Sequence, residues 1–496
     1  MSKKTSFAGE SRRVKILFCA AEASPLAKVG GLGDVVGSLP KALSKIGLDV
    51  SVVLPFYGSI AKKYKVKIVK KDIPVELDGR HERFSIYQTK LPGSLVPVYL
   101  LQHKFFDFQD IYLGNKIIKS AKRQISDVER FTFFSKTVAE SIRALAWKID
   151  IVHCHDWHTA LVPTFLDEYH IKYQTFPNIK TILTIHNLAN QGKTKLDILD
   201  YAGLHHDLTL AVMEDYHDQD GQIIDLMKVG ILSADHVTTV SPSYAREILT
   251  KTYGEQLEKY LSRRQKNLSG IVNGIDVDIF NPARDRFIYK KYNHHNFIVG
   301  KAVNKAKLQK SLALATEKSL PIFGLVTRLF PQKGLDILLP VLEQLLSKEK
   351  FQLIVLGSGM REYEQTLLKL QTKYPKLVSV TIGFDERLAQ RIYASSDFFL
   401  MPSAFEPCGL GQLIAMRYGS VPIVRATGGL KDTVSASRGI IFRQYTESDL
   451  AKSIKKALRL YQVPKMYHDI VRRDMQIDFS WSQSAKIYKK LYQKIS

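Results

Sequence analysis

Short apolar runs rich in Val, Ile, Leu and Phe alternate with longer amphipathic stretches along most of the chain. The run "RVKILFCAA" (13–21) reads as a strand, residues 34–46 space their apolar positions as a helix does, and "LDVSVVLP" (48–55) reads as a second strand. "IDIVHCHD", "TILTIHN" and "DHVTTVSP" extend the series, each apolar core ending at polar residues. A second series follows residue 270, with "PIFGLVTR", "FQLIVLG", "VSVTIG", "FFLMPS" and "VPIVRA" as strands. Between some of these, "GLDILLPVLEQLLS" and "MREYEQTLLKLQTKYP" predict helices. Near-continuous apolar strands alternating with helices predict parallel sheets covered on both faces. The expected fold class is therefore α/β, with two Rossmann-like, doubly wound domains. The polar segment "KTYGEQLEKYLSRRQKN" marks the join and divides the chain into residues 1–255 and 256–472. Ligands of open α/β sheets sit beyond the carboxyl ends of the strands. Two such sheets facing each other would place a cleft between them.

A length of 496 residues suits two large domains, and 45% hydrophobic content can fill their cores. No apolar run is long enough for a membrane span, and the basic start "MSKKTSFAGESRRVKILFCAAE" reaches Glu22 too soon for a secretory signal. Cys19, Cys154 and Cys408 form no C-x-x-C pair, which argues against a disulfide framework or zinc ribbon and fits a reducing cytoplasm. The net charge of +24 raises the question of a polyanionic partner. The lysines are dispersed, however, and the densest run, "KKYKVKIVKK", interleaves them with Val and Ile, as in a strand with one wet face. A field that draws in small anionic substrates accounts for the charge at least as well as nucleic acid does.

Several stretches carry chemistry. In "LAKVGGLGDVVGSL" (26–39), Gly31, Gly33 and Gly37 do not keep the dinucleotide spacing, and no acid follows the second strand to hold a ribose. No Lys-Ser or Lys-Thr completes a nucleoside-triphosphate loop either. Two readings stay open: a tight turn with a solvated Lys28, or a phosphate near glycine backbone, a helix N-terminus and the Lys28 charge. In "TRLFPQKGLD", Arg328 and Lys333 form a basic pair on a strand-end loop. Such a pair can neutralise a diphosphate, each contact carrying a Coulomb term of about 4 kcal/mol at ~4 Å before desolvation. In "MPSAFEPCGLGQLIAMRYG", Glu406 sits near the end of a loop and a helix starts around Gly409. The backbone N–H groups of Cys408, Gly409, Leu410 and Gly411 suit a phosphate or sugar hydroxyls. Glu406 either caps that helix or grips hydroxyls; a glycosidase needs a second flanking carboxylate, which nothing here supplies. The histidines of "VHCHDWHTAL" miss metal-ligand spacing and read as hydrogen-bonded structural groups rather than zinc ligands. "DVD" (276–278) and "DQD" (218–220) could hold a divalent ion, although such triplets are common on surfaces. "TIHN" places His186 and Asn187 at a strand's carboxyl end.

With these residues in view, the chain resembles bacterial glycogen synthases and plant starch synthases. The resemblance runs in the family's order through "KVGGLGDV", "VHCHDWHTAL", "TIHNLANQG", "TTVSPSYAREI", "GIVNGIDVDIFNP", "TRLFPQKGLD", "FEPCGLGQL" and "GGLKDTV". "FSWSQSAKIYKKLY" resembles the family's closing helix, which would place about 473–496 back on the first domain. The resemblance implies a GT-B fold and retaining transfer of glucose from ADP-glucose to the non-reducing end of an α-1,4-glucan. It implies no cofactor and no metal; neither nucleic acid nor membrane is an expected partner. Lys28 and Gly31 would touch the sugar nucleotide, His186 and Asn187 would lie beside the glucose, and Arg328 and Lys333 would hold the diphosphate. Glu406 would bind glucose hydroxyls, with Cys408 to Gly411 holding sugar and phosphate. Asp34 and Asp156 are further candidates on the first-domain face. Phe384 stands where the family often has a Tyr stacked on the base. Asn190 replaces a usual Tyr, Gly411 a Thr or Asn, and "DVERF" departs from the usual "DN" before "RF". Ile414 stands where related enzymes with other acceptors carry a second Glu, which favours the glucan synthases. The alternative is a UDP-glucose-using enzyme of the same fold with a different acceptor.

Overall fold

The computed structural model describes residues 13–114, 116–119, 124–176, 178–204 and 223–496; the acidic triplet at 218–220 lies outside them. The chain divides into two units, Met1–Thr238 with Ile248–Ser269 and Ser484–Ser496, and Thr239–Glu247 with Gly270–Gln483.

The first unit is built on a nine-stranded sheet. Its spatial order is Leu268–Gly270, His236–Thr239, Lys180–Ile185, Ile151–His155, Lys15–Cys19, Asp49–Pro55, Pro97–Gln102, Arg80–Lys90 and Lys67–Leu77. Lys15–Cys19 pairs in parallel with both Asp49–Pro55 and Ile151–His155. Strand order therefore reverses between Lys15–Cys19 and Ile151–His155, which makes their carboxyl ends a topological switch point. Both strands are buried almost throughout, KILFC as its apolar content requires and IVHCH with two histidines enclosed among its apolar residues. The lysine-rich run forms the sheet's edge. Lys67–Lys71 is exposed at every position, so it has two wet sides rather than one, and apolar alternation starts only at Ile73. An edge strand pairs on one side alone, and lysines there deter pairing with another chain.

The second unit holds six parallel strands in the order Val378–Ile382, Gln352–Gly357, Ile322–Val326, Phe398–Met401, Val421–Arg425 and Ile440–Phe442. Order reverses between Ile322–Val326 and Phe398–Met401. The helix Leu335–Leu346 turns Leu335, Leu338, Val341, Leu342 and Leu345 into the core beneath this sheet.

The boundaries differ from those expected at 255/256 and 472/473. The polar segment after residue 250 is packed on the first unit along one side rather than forming a free linker. Its helix Glu258–Arg263 buries Tyr260 and Leu261, and Lys228 Nζ stands 3.8 Å from the centre of the Tyr260 ring. At the other end, the helix Pro464–Gln476 buries Val471 and Met475 within the second unit. Only from Ser484 does the last helix, Trp481–Ile495, belong to the first unit, where Tyr488 and Tyr492 are buried.

Candidate active site

In the second unit two loops leave the switch point, one after Ile322–Val326 and one after Phe398–Met401. The first carries Arg328 and Lys333, the second Glu406. Lys333 Nζ donates to Glu406 Oε2 at 2.6 Å, and the Ser403 hydroxyl donates to the same oxygen at 3.0 Å. Glu406 is 6% exposed, whereas the Arg328 side chain is exposed and its guanidinium makes no hydrogen bond among the described residues. The expected basic pair is thus one cation neutralised by a carboxylate and one open cation.

Glycines set the loops against each other. Gly334 has φ +73, and a Cβ there would stand 2.1 Å from the carbonyl oxygen of Pro402. Ala404 N donates to Gln332 O at 2.9 Å across the same contact. Gly428 has φ +43, with a hypothetical Cβ 2.0 Å from the Glu406 carbonyl oxygen, and Gly429 N donates to that oxygen at 3.0 Å. The pair in "GGLKDTV" is therefore a bed for the loop that carries Glu406. Glu247 in turn accepts the Gly428 N–H at 2.9 Å, and the Ser241 hydroxyl donates to Pro407 O at 2.8 Å.

The helix after Glu406 begins at Gly411, two residues later than expected, because Gly409 takes φ +75. Gln412 Nε2 donates back to Cys408 O and Gly409 O at 3.1 and 2.9 Å, which ties down the turn. Cys408 is buried, and burial pushes its thiol up to about 12, so it is an inert wall group. Leu410 and Gly411 are half-buried. Phe384 is 85% exposed on the loop after Val378–Ile382. The "DVD" triplet is a turn, with Asp276 Oδ1 accepting the N–H groups of Asp278 and Ile279.

In the first unit the expected glycine loop is largely helix, which starts at Gly31 and takes Gly33 into its first turn. Glu22 occupies the anion position of that loop. Its Oε2 accepts Val29 N at 2.6 Å and Gly30 N at 2.8 Å, while Oε1 accepts the Tyr112 hydroxyl at 2.6 Å. Lys28 Nζ pairs with Asp34 at 2.6 Å. The phosphate reading of this loop therefore reduces to the Lys28–Asp34 pair and the open backbone at Gly31, where nothing lies within 4 Å of a hypothetical Cβ.

Asp156 closes Ile151–His155 at φ 58, ψ −178, a region that only glycine visits readily. It is buried, and its Oδ1 accepts the His186 N–H at 2.7 Å. Desolvation holds its carboxyl up to about 7 despite backbone N–H donors at His186 and Asn187. The Asn187 side chain turns away to its own loop, with Oδ1 accepting Ala189 N at 3.2 Å. His186 Nε2 lies 2.9 Å from His155 Nδ1, and burial pushes His186 down to about 3. His153 bonds the Tyr492 hydroxyl at 2.8 Å and the Thr184 hydroxyl at 2.6 Å, so both of its ring nitrogens are engaged inside the fold. Among the described residues no three His, Cys, Asp or Glu side chains form a metal-holding group.

The sequence reading missed three groups. Glu22 is a lone acid, visible only as the residue that ends the first apolar run. Glu247 sits inside "TTVSPSYAREI" with no local cue to its partner. Asn273, in "GIVNGID", is 7% exposed with Oδ1 buried and unpartnered among the described residues.

Residues 15–263 match the family described as "Starch synthase catalytic domain", and 289–474 match "Glycosyl transferases group 1". The chain is 41% identical to a glycogen synthase of Alkaliphilus metalliredigens, over 97% of this chain and 100% of that protein. A glycogen synthase of Bacillus subtilis is 40% identical over 97% and 98% of the two chains. The catalytic domain of starch synthase IV from Arabidopsis thaliana, bound to ADP and acarbose, superposes with a TM-score of 0.87 at 33% identity, covering 98% of this chain and 99% of that one. A sucrose-phosphate synthase from Thermosynechococcus elongatus shares the fold, with a TM-score of 0.57 at 18% identity over 97% and 99%. Two doubly wound units with charged loops at both switch points, and likeness over nearly the whole length, lead to one conclusion: the chain belongs to the glycogen synthase and starch synthase family of GT-B glycosyltransferases.

Proposed function

We propose that the protein lengthens α-1,4-glucans such as glycogen, transferring glucose from ADP-glucose to the non-reducing end with retention at the anomeric carbon. The observation that supports this most is the convergence of Arg328, Lys333 and Glu406 at the second switch point. Arg328 meets one phosphate directly. Lys333 holds Glu406 and keeps further N–H donors for the other phosphate. As the glucosyl–phosphate bond loosens, negative charge grows on the departing nucleotide and fixed cations stabilise it without reorganising. Glu406, held by Lys333 and Ser403, accepts hydrogen bonds from sugar hydroxyls. The acceptor's 4-hydroxyl attacks from the same face, and its proton passes to the leaving phosphate. On the first unit, neutral His186 faces the glucose and Lys28, with Asp34 beside it, reaches the nucleotide. Phe384, almost fully exposed, offers a flat apolar face to the base.

No metal is needed in this scheme, since side-chain cations carry out the charge stabilisation. No helix among the described residues is long and apolar enough to cross a membrane. Three buried free thiols suit the proposed cytoplasmic setting. The test is transfer of labelled glucose onto glycogen from ADP-glucose and UDP-glucose in parallel. Faster turnover of ADP-glucose, dependent on glycogen, is expected; turnover of UDP-glucose alone onto a small acceptor would overturn the reading.

A further inference from the structure

His155 immediately precedes the strained Asp156 and has no part in the sugar contacts above. Its ring lies 5.2 Å from Phe18 at an interplanar angle of 21° and 4.4 Å from His153 at 29°. Stacking fixes its plane. One nitrogen, Nδ1, is 2.9 Å from His186 Nε2; the other, Nε2, is buried without a partner among the described residues. A hydrogen bond between two imidazole nitrogens needs one proton. Burial keeps both rings neutral, so each ring carries one N–H. If His186 donated from Nε2, the His155 proton would sit on its own Nε2, a buried N–H with no acceptor. If His155 donates from Nδ1, only a lone pair is left without a partner on buried His155, and the free N–H falls instead on Nδ1 of the half-buried His186. Buried orphan N–H groups are rarer than under-used acceptors.

We infer that His155 is a positioning residue whose Nδ1–H donates to His186 Nε2, fixing the His186 proton on Nδ1, the nitrogen with no partner among the described residues. The role follows from placing His186 beside the glucose, as proposed above. A sugar hydroxyl or ring-side oxygen there meets a donor of fixed direction that carries no charge. An imidazolium would instead repel the positive character that develops at the anomeric carbon. Asp156 supports the arrangement from the other side by accepting the His186 backbone N–H at 2.7 Å.

The test uses two nearly isosteric replacements in the full chain. His155→Asn can place an amide N–H close to where Nδ1 stood; His155→Leu fills similar space without it. The Asn variant is expected to keep kcat within about threefold and the Leu variant to lose about tenfold or more, with the donor KM little changed in either. Nitrogen-15 histidine spectra of the wild-type protein, with His186 assigned by its loss in His186→Asn, are expected to show Nδ1 protonated. Leu is expected to shift His186 toward the Nε2 form or a mixture. Equal kcat in Asn and Leu, or an Nε2-protonated His186 in the wild type, overturns the inference; if Leu fails to fold, the wild-type spectrum decides. A His186→Asn enzyme at wild-type rate overturns the placement of His186 beside the glucose, and the spectrum then judges the hydrogen bond by itself.

Discussion

Gly428→Ala tests whether the glycine bed holds Glu406 in place. At φ +43 the alanine costs about 1 kcal/mol in backbone strain. Its Cβ would stand 2.0 Å from the Glu406 carbonyl oxygen, where ordinary contacts begin at 3.4 Å, so the loops must part by about 1 Å or more. Forced overpacking of this kind costs about 1–3 kcal/mol. Together these give about 2–4 kcal/mol, or a melting temperature lower by about 5–10 °C. The displacement falls on the residue proposed to bind the sugar, and a misplacement of about 1 Å can cost on the order of a hundredfold in rate. The assay pairs a thermal melt with labelled-glucose transfer onto glycogen, measured at a temperature where the variant is fully folded. A variant with wild-type kcat and an unmoved melting temperature would refute the claim that Gly428 and Gly429 position the Glu406 loop.

Gly31→Ala makes the complementary case: nothing lies within 4 Å of the new Cβ, so stability should hold, and a raised KM for the sugar nucleotide would mark close approach of substrate. Unchanged KM would remove Gly31 from the site. Lys333→Ala and Glu406→Ala should each lower kcat by about 10²–10³, and the double variant should be little worse than either single one, because the two groups act as a unit; additive losses would contradict this. Asp156 is held up to about 7 against an unfolded value near 4, so the folded state binds the extra proton. Its contribution is fully present below about pH 4 and is lost as pH rises to about 7, amounting to at most about 4 kcal/mol. Asp156→Asn should therefore gain stability relative to wild type between those limits in paired denaturation curves; a constant difference would show that the carboxyl ionises normally. Transfer should be unchanged in EDTA, and loss restored by Mn²⁺ would show that a metal takes part.

The parallel strands were legible because burial on both faces demands unbroken Val, Ile, Leu and Phe, and "KILFC" and "QLIVLG" consist of little else. The start of the first helix was misplaced because Gly31 and Gly33 look like loop residues, although a first turn tolerates them. Arg328, Lys333 and Glu406 were each visible at a strand's end. The 2.6 Å bond between Lys333 and Glu406 was not, since it joins loops that follow strands paired only in the folded sheet. Glu22 was hidden for a different reason. A carboxylate that serves its own chain's amides has the same one-letter appearance as a solvated one, and only the positions of Val29 and Gly30 reveal its use.

The return of Ser484–Ser496 to the first unit also orders events during synthesis. The layer that includes His153 lacks Tyr492 until the ribosome has made the entire second unit. A nascent chain therefore carries an unsealed first sheet while the second folds, and the last turns of helix close it. Slowing translation before Ser484 should lengthen the interval in which that aromatic seat stays open, read as greater capture of the nascent chain by added chaperone.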